Sequence, residues 1–339
     1  MTRKNIMLVF GGESSEHDVS ILSARNIYAA MDNEKYHVSL CYIDMHGKWW
    51  LLDEWKENVR NHGGVQLVAA MGAKSFVTLP GNNIIRPDVI FPVLHGRNGE
   101  DGTVQGLFEL LHIPYVGCGV QASADCMDKE VTKVIAKSGG IEVAPYIKLD
   151  HGRSFAYKEA IETLGKTLFV KPARSGSSIG VSRVTSERGF EQAIEVARKE
   201  DTKVLIEGAV EGRELEVAVL GNLPHHKVSD IGEVIVGEEF YSYNEKYAAD
   251  SKAVVLINAR VEESIRTKLR QQASEIYQLL GCRGLARIDF FVTKQGKVIL
   301  NEVNTMPGFT SISQYPKLWH EQGIKYPQLV DKLVALALL

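Results

Sequence analysis

A chain of 339 residues that is 45% hydrophobic and 24% charged has ordinary globular composition, with length enough for two or three domains. A formal net charge of −3, with Lys and Arg scattered rather than bunched, argues against a nucleic-acid footprint. No apolar run reaches the length of a membrane span, and Ile6 to Phe10 is too short for the core of a signal peptide. Four cysteines (Cys41, Cys118, Cys126, Cys282) have no Cys-x-x-Cys spacing, so neither a zinc site nor a disulfide framework is expected. Reduced core thiols in a cytoplasm are the simpler reading.

The first segment alternates strands and helices: a strand over Ile6 to Phe10, a Gly11-Gly12 turn, then a helix from about Ser15 to Met31. Val89 to Leu94 reads as a buried strand that runs through His95 to Gly102 into a helix with Val104, Leu107, Phe108 and Leu111 at helical spacing. Pro114 ends that helix, and Tyr115-Val116-Gly117 begins another strand. A single helix is expected from about Ala124 to Lys137, stopped by Gly139-Gly140. The middle reads as an α+β unit: strands over 167–172, 179–184 and 204–207, with a helix from about Glu187 to Arg198. After Gly212 come long strands, an irregular stretch from Gly237 to Ser251, a helix from about Glu262 to Leu280, two paired strands and a final helix.

Those two strands carry the most informative residues. If Ile288 to Val292 pairs antiparallel with Ile299 to Asn304 around a two-residue turn at Gln295-Gly296, residue 289 faces 302 and residue 287 faces 304. Side chains alternate, so Arg287, Asp289, Glu302 and Asn304 then share one face. Such an oxygen-rich set suits a hard divalent cation completed by substrate phosphates, and a neighbouring guanidinium suits a developing oxyanion. A polar outer face on an edge hairpin is the alternative.

Other segments supply partners. Arg174 to Gly180, preceded by Lys171, looks like a hairpin tip able to cover phosphates with backbone N–H groups, although it is not a Walker A loop. Lys129 adds a second cation, and triphosphates need cations and a metal from separate directions. Glu207 and Glu214 lie where a hinge between lobes could hold a nucleobase, or are simply solvated. Ser14 or Ser15 can cap the helix that follows, with Glu16 in its first turn. His95 stands in a post-strand loop of the kind that builds α/β sites. Tyr243, Lys246 and Tyr247 stud a stretch that resembles a recognition loop. Pro307-Gly308 followed by Thr310, Ser311 and Ser313 offers donors for a carboxylate, more strongly if a helix begins there. A rival reading comes from Gly117 to Ala122, which fits Gly-x-Gly-x-x-Ala of nicotinamide-dependent oxidoreductases, without the acid expected about twenty residues on.

Taken in order, Gly11-Gly12 with Glu16, His95 to Gly102, Met127-Asp128-Lys129, Val170-Lys171-Pro172 with Gly176 to Gly180, Glu245-Lys246-Tyr247, Ala286-Arg287 with Asp289, and Asn301-Glu302 through Pro307-Gly308 closely resemble the D-alanine:D-alanine ligases. These are ATP-grasp enzymes, and the resemblance spans nearly the whole chain. It implies an α/β (α+β) ATP-grasp fold: an N-terminal parallel-sheet domain over 1–125, a central lobe over 126–211 and a C-terminal lobe over 212–339, the two lobes enclosing ATP. It also implies an ADP-forming ligase that joins two D-alanines through a D-alanyl phosphate for peptidoglycan precursors, with a homodimeric state.

The resemblance distributes roles. Glu16 would hold the first substrate's ammonium in a network with Ser177 and Tyr247, with His95 close by. Lys129 and Lys171 would clamp the ATP phosphates beneath a loop that includes Ser178, with Lys246 also on the nucleotide. Glu207 and Glu214 would hold adenine and ribose. Asp289, Glu302 and Asn304 would bind two magnesium ions, or manganese in their place. Arg287 and the Gly308 N–H would stabilise the tetrahedral oxyanion, and Ser313 would receive the second substrate's carboxylate. Lys246-Tyr247 is the pair of the dipeptide-forming members. Gln314 departs from the apolar residue of many D-alanine-specific members and leaves D-serine open as second substrate.

Overall fold

Strand β1 (Lys4–Gly11) is apolar on both faces because both are covered, as parallel strands require. In the computed structural model, which describes residues 3–61, 63–235 and 254–339, β1 pairs in parallel with β2 (Tyr36–Ile43) and with β7 (Val89–Val93). Met7 and Val9 pack toward α2 (Thr103–Leu111) through Val104, Phe108 and Leu111. Ile6, Leu8 and Phe10 point the other way, to a core shared with α1 (His17–Ala30) and with α9 (Tyr326–Ala337). The last helix of the chain thus covers its first strand.

The parallel part of this seven-stranded sheet is narrower than alternation of strands and helices implies. Residues 49–85 form β3 (Trp49–Leu52), β4 (Val65–Ala70), β5 (Ser75–Leu79) and β6 (Ile84–Ile85), an antiparallel extension from β2. The strand expected at Tyr115-Val116-Gly117 reduces to one bridge from Tyr115 to Ile90. The helix expected over 124–137 is two helices, α3 (Val120–Met127) and α4 (Lys129–Ser138). Asp128 breaks it: its carboxylate caps α4 by accepting from the N–H groups of Glu130 and Val131, and Lys203 holds the same side chain at 2.7 Å.

A four-stranded antiparallel sheet follows, built from β8 (Tyr146–Leu149), β9 (Leu168–Pro172), β10 (Ser182–Val184) and β11 (Val204–Gly208). Leu168, Val170, Val204 and Ile206 pack against α5 (Tyr157–Leu164) and α6 (Glu187–Glu200), which leaves Lys171 and Glu207 on the opposite face. The third sheet orders β14 (Val254–Ile257), β13 (Lys227–Ile235), β12 (Gly212–Leu220), β15 (Leu285–Thr293) and β16 (Val298–Asn304). Leu215, Val217, Ile288, Phe290 and Val303 face α7 (Glu263–Leu279) through Leu269, Ala273 and Ile276. Glu214, Glu216, Arg287, Asp289 and Glu302 therefore share the other face. Lys246 and Tyr247 lie outside the described residues, and within those residues no helix is long and apolar enough to cross a membrane.

Leu333 of α9 is fully buried against the first sheet. Leu333→Ala is expected to lower unfolding free energy by about 2–5 kcal/mol in urea titration; a loss under about 0.5 kcal/mol, the size of an ordinary surface change, would show that α9 is not integral to that core.

Candidate active site

At the site end of the last hairpin the register follows from alternation: Arg287 pairs with Asn304 and Asp289 with Glu302. Nearer the turn it does not, because Phe290 pairs with Leu300 and Asn301 is an extra, bulged residue. The bulge shifts every later pair by one, so the turn holds three residues, Lys294 to Gly296, instead of two. Gly296 takes the left-handed conformation (φ 77°) that closes such a loop.

On the shared face Arg287 donates to both carboxylate oxygens of Asp289, at 2.8 and 2.7 Å, and its Nε lies 3.2 Å from Glu216 Oε2. Burial works against that guanidinium's charge, but Asp289 and then Glu216 hold its pKa well above the ordinary value. Asn304 Nδ2 donates to Asp289 Oδ2 at 3.0 Å. Glu302 lies 3.5 Å from Lys129 Nζ. Asp289 thus accepts three hydrogen bonds, and a carboxylate offers about four such sites.

Lys129 opens α4, where the Asp128 cap aims it at the cleft, and its Nζ also donates to Ser175 O at 2.7 Å. That carbonyl belongs to the loop between β9 and β10, a hairpin tip as the sequence implies. Ser177 and Ser178 sit there at left-handed φ of 49° and 59°, a cost for side-chain-bearing residues that marks the loop as shaped for a purpose. Ser177 Oγ donates a short hydrogen bond to Glu16 Oε1. Glu16 Oε2 stands 2.7 and 2.8 Å from where a Cβ on Gly96 or Gly176 would be, so a side chain at either position would displace this carboxylate from its present place. On the central sheet Lys171 Nζ lies 2.8 Å from Glu207 Oε2, and burial notwithstanding, Lys171 and then Lys133 keep the Glu207 pKa below the usual value.

The loop after β7 meets the loop after β1 beside these residues. Helix α1 starts at His17, later than expected, and its first turn is not capped by a serine side chain. Ser14 Oγ instead donates to His95 O at 2.6 Å, tying the loop after β1 to the loop after β7. His95 Nδ1 lies 3.0 Å from Met306 O, and burial lowers its pKa, favouring the neutral ring. Phe309 N donates to Ser23 Oγ at 3.2 Å. Ser313 N-caps α8 (Gln314–Glu321), the helix start expected to strengthen an anion site, and its Oγ accepts from Thr310 N at 3.0 Å. The same hydroxyl sits against the Cα of Gly308, 2.7 Å from where a Cβ there would be. Gln314 is buried against Gly232, with neither end of its amide hydrogen-bonded.

The sequence-identified residues Glu16, Ser177, Lys129, Glu302, Asp289, Arg287 and Asn304 therefore form one connected run, with Lys171 and Glu207 paired on the central sheet. Glu214, which pairs with Phe291 on β15, lies on the site face of β12. The glycine pattern at 117–122 is not preceded by a paired strand, which removes the setting a dinucleotide fingerprint needs. Cys126 and Cys282, far apart in sequence, meet at 3.9 Å as buried free thiols. Three site residues escape sequence reading. Glu216 stands across from Asp289, and its signal is the Glu214-x-Glu216 alternation in an apolar strand. Lys133 sits one turn after Lys129 and reaches Glu207 at 3.1 Å. Glu100 accepts from Gly96 N at 2.7 Å and Met306 N at 3.3 Å, strapping two loops together.

The donor set of Asp289, Glu302 and Asn304 is all oxygen or amide. Among the described residues no three His, Cys, Asp or Glu side chains gather into a cage. A cation here needs further oxygen ligands from a substrate, which is how magnesium is commonly held. The residues present fit such an ion.

Burial, then the nearby Glu16, push the Glu100 carboxyl up to about 8 from the ordinary 4.5. The fold favours its neutral form, so this group's stabilising contribution is complete below the unfolded value and drains away as pH rises toward 8. Glu100→Gln is expected to flatten the dependence of the urea midpoint on pH between 5 and 8; an unchanged slope would place the titration elsewhere.

Sequence profiles of known families match both ends of the chain: "D-ala D-ala ligase N-terminus" over residues 5–118 and "D-ala D-ala ligase C-terminus" over residues 135–335. A D-alanine--D-alanine ligase of Sodalis glossinidius is 44% identical, the match covering 99% of this chain and 95% of that protein. Among solved structures, the VanG D-Ala:D-Ser ligase of Enterococcus faecalis superposes with a TM-score of 0.89 at 35% identity, over 99% of this chain and 100% of that one. The D-alanine--D-alanine ligase of Bacillus anthracis complexed with ATP gives 0.76 at 28% identity, over 99% and 98%. With both halves matched and the cleft residues in place, the chain belongs to the D-alanine:D-alanine ligase family.

Proposed function

We propose that this protein joins two D-alanine molecules into D-alanyl-D-alanine at the expense of ATP, through a D-alanyl phosphate, with ADP and phosphate as the other products. What carries this reading at the level of residues is the unbroken run of contacts from Glu16 to Ser177, from Ser175 to Lys129, and from Lys129 to Glu302. It links an acid suited to an ammonium, a loop suited to phosphates and a face suited to a metal, contributed by three different sheets.

In this reading Glu16, held by Ser177, fixes the ammonium of the first D-alanine so that its carboxylate meets the γ-phosphoryl group. Lys129 and Lys171 take the nucleotide's phosphates under the loop that includes Ser178. Glu207 and Glu214 hold the nucleoside, and by the resemblance Tyr247 joins the network of Glu16 and Ser177 while Lys246 serves the nucleotide. A carboxylate is a poor electrophile, and phosphorylation gives it a leaving group. The second D-alanine's amine then attacks the carbonyl carbon, and phosphate departs. Arg287 and the Gly308 N–H face the oxyanion that forms, so their interaction strengthens toward the transition state. Ser313, at the start of α8, receives the second carboxylate, and His95 orders the first-substrate loop. Asp289, Glu302 and Asn304 are the residues that would hold magnesium, which when bound offsets negative charge on the phosphoryl oxygens. The division of the chain near 126 and 212 belongs to the same proposal, since the three sheets occupy separate stretches.

Gln314 favours a second reading in which D-serine is accepted. Its buried amide has no hydrogen-bond partner, and a substrate hydroxyl would supply one.

Phosphate release is expected only when ATP, magnesium and D-alanine are present together, with Arg287→Met lowering kcat by about 100- to 1,000-fold and Asp289→Ala abolishing turnover. Release without D-alanine, or an Asp289→Ala variant with full turnover, would overturn the assignment. D-Alanine and D-serine supplied together, with the products weighed by mass spectrometry, are expected to give mainly the alanyl dipeptide; a dominant D-alanyl-D-serine product would instead favour the second reading.

A further inference from the structure

Lys133 is completely buried and takes no part in the reaction sequence described above. It lies one helical turn after Lys129, on the same side of α4. Its Nζ is 3.1 Å from Glu207 Oε1, while Lys171 approaches the other oxygen at 2.8 Å. At that distance Lys133 acts on Glu207 as an ion pair. Its other close neighbour is the ring of Tyr146, whose centroid lies 6.0 Å away.

Around Glu207 itself two ammoniums, Lys133 and Lys171, stand against one carboxylate, an excess of one positive charge. A polyphosphate draws on that excess, and on the proposed function Lys171 is one of the two lysines it recruits. An ammonium shared between Glu207 and the phosphates gives Glu207 less of its charge than one devoted to it alone. A buried carboxylate with no counter-ion takes up a proton. A protonated Glu207 both donates and accepts, and no longer distinguishes an amino group from a carbonyl oxygen on a purine.

We propose that Lys133 is a positioning residue for nucleotide selection: it is the fixed counter-ion that keeps Glu207 ionised toward the adenine amino group while Lys171 serves the phosphates. The inference rests on the reading that Glu207 meets the nucleobase. Its own environment agrees with the role, because burial lowers the Lys133 pKa to about 8, so this ammonium persists at neutral pH chiefly through its pairing with Glu207.

The test compares ATP with ITP, in which a carbonyl oxygen replaces the amino group, by kcat/KM with magnesium and D-alanine. The wild-type protein is expected to prefer ATP, because a site that accepts from an amino group rejects the oxygen analogue. Lys133→Met should reduce that preference by about tenfold or more, mainly by raising KM for ATP, with kcat held within about threefold. Lys133→Arg, which keeps the charge, should restore it, and Lys133→Gln replaces the Met variant if that one does not fold. Glu207→Gln should abolish the preference, and adding Lys133→Met to it should produce no further loss. A wild-type preference in Lys133→Met alongside a lost one in Glu207→Gln would overturn the role of Lys133, as would failure of Lys133→Arg to restore it. An undiminished preference in Glu207→Gln would instead overturn the placement of Glu207 at the nucleobase, and the proposal with it.

Discussion

A carboxylate withdrawn from water must be matched by a cation or a donor, and in this protein the match regularly comes from another part of the chain. Glu16 leaves the first sheet and meets Ser177 of the central hairpin. Glu302 of the last hairpin meets Lys129 of α4, and Glu207 of the central sheet meets Lys133 of the same helix. The first two contacts cross between structural units and the third joins helix to sheet within the central one, so the charges that form the cleft also hold its walls together. Helix α4 is common to the last two. Its Asp128 cap breaks what would be one longer helix and sets the direction in which Lys129 and Lys133 project.

This arrangement explains why so much polar character is tolerated in the interior. The last sheet keeps its apolar residues toward α7 and concentrates charge on the other face, where Glu302, Asp289, Glu216 and Gly232 follow one another across four strands. Gly232 ends the charged row with a bare Cα, and Gln314 fills that space. The Asn301 bulge lies beside Glu302, next to the site, where an extra residue re-aims a side chain without disturbing the pairs that matter.

Much of this was legible in the sequence, for reasons that differ by residue. Period-two alternation places Arg287, Asp289, Glu302 and Asn304 on one face whatever the turn, and that placement survives the bulge. The bulge itself leaves no mark, since nothing about Asn301 distinguishes a paired residue from an inserted one. The antiparallel extension over 49–85 was missed because its strands are short and only half buried, so their alternation is weak. Lys133 was passed over because a lysine on a helix ordinarily marks a solvated face, and its burial follows from the approach of β11, a tertiary event. The split at Asp128 was readable as a capping signal, but the apolar stripe running across it argued for continuity.

The packing of α9 against β1 has a consequence for how the molecule is made. Ile6, Leu8 and Phe10 leave the ribosome long before Leu329, Val330, Leu333 and Val334, which cover that face. One side of the first sheet therefore stays open to water, and to other chains, until that helix has been made. The early strand waits for the late helix, and closing the long loop between them is a late act of assembly.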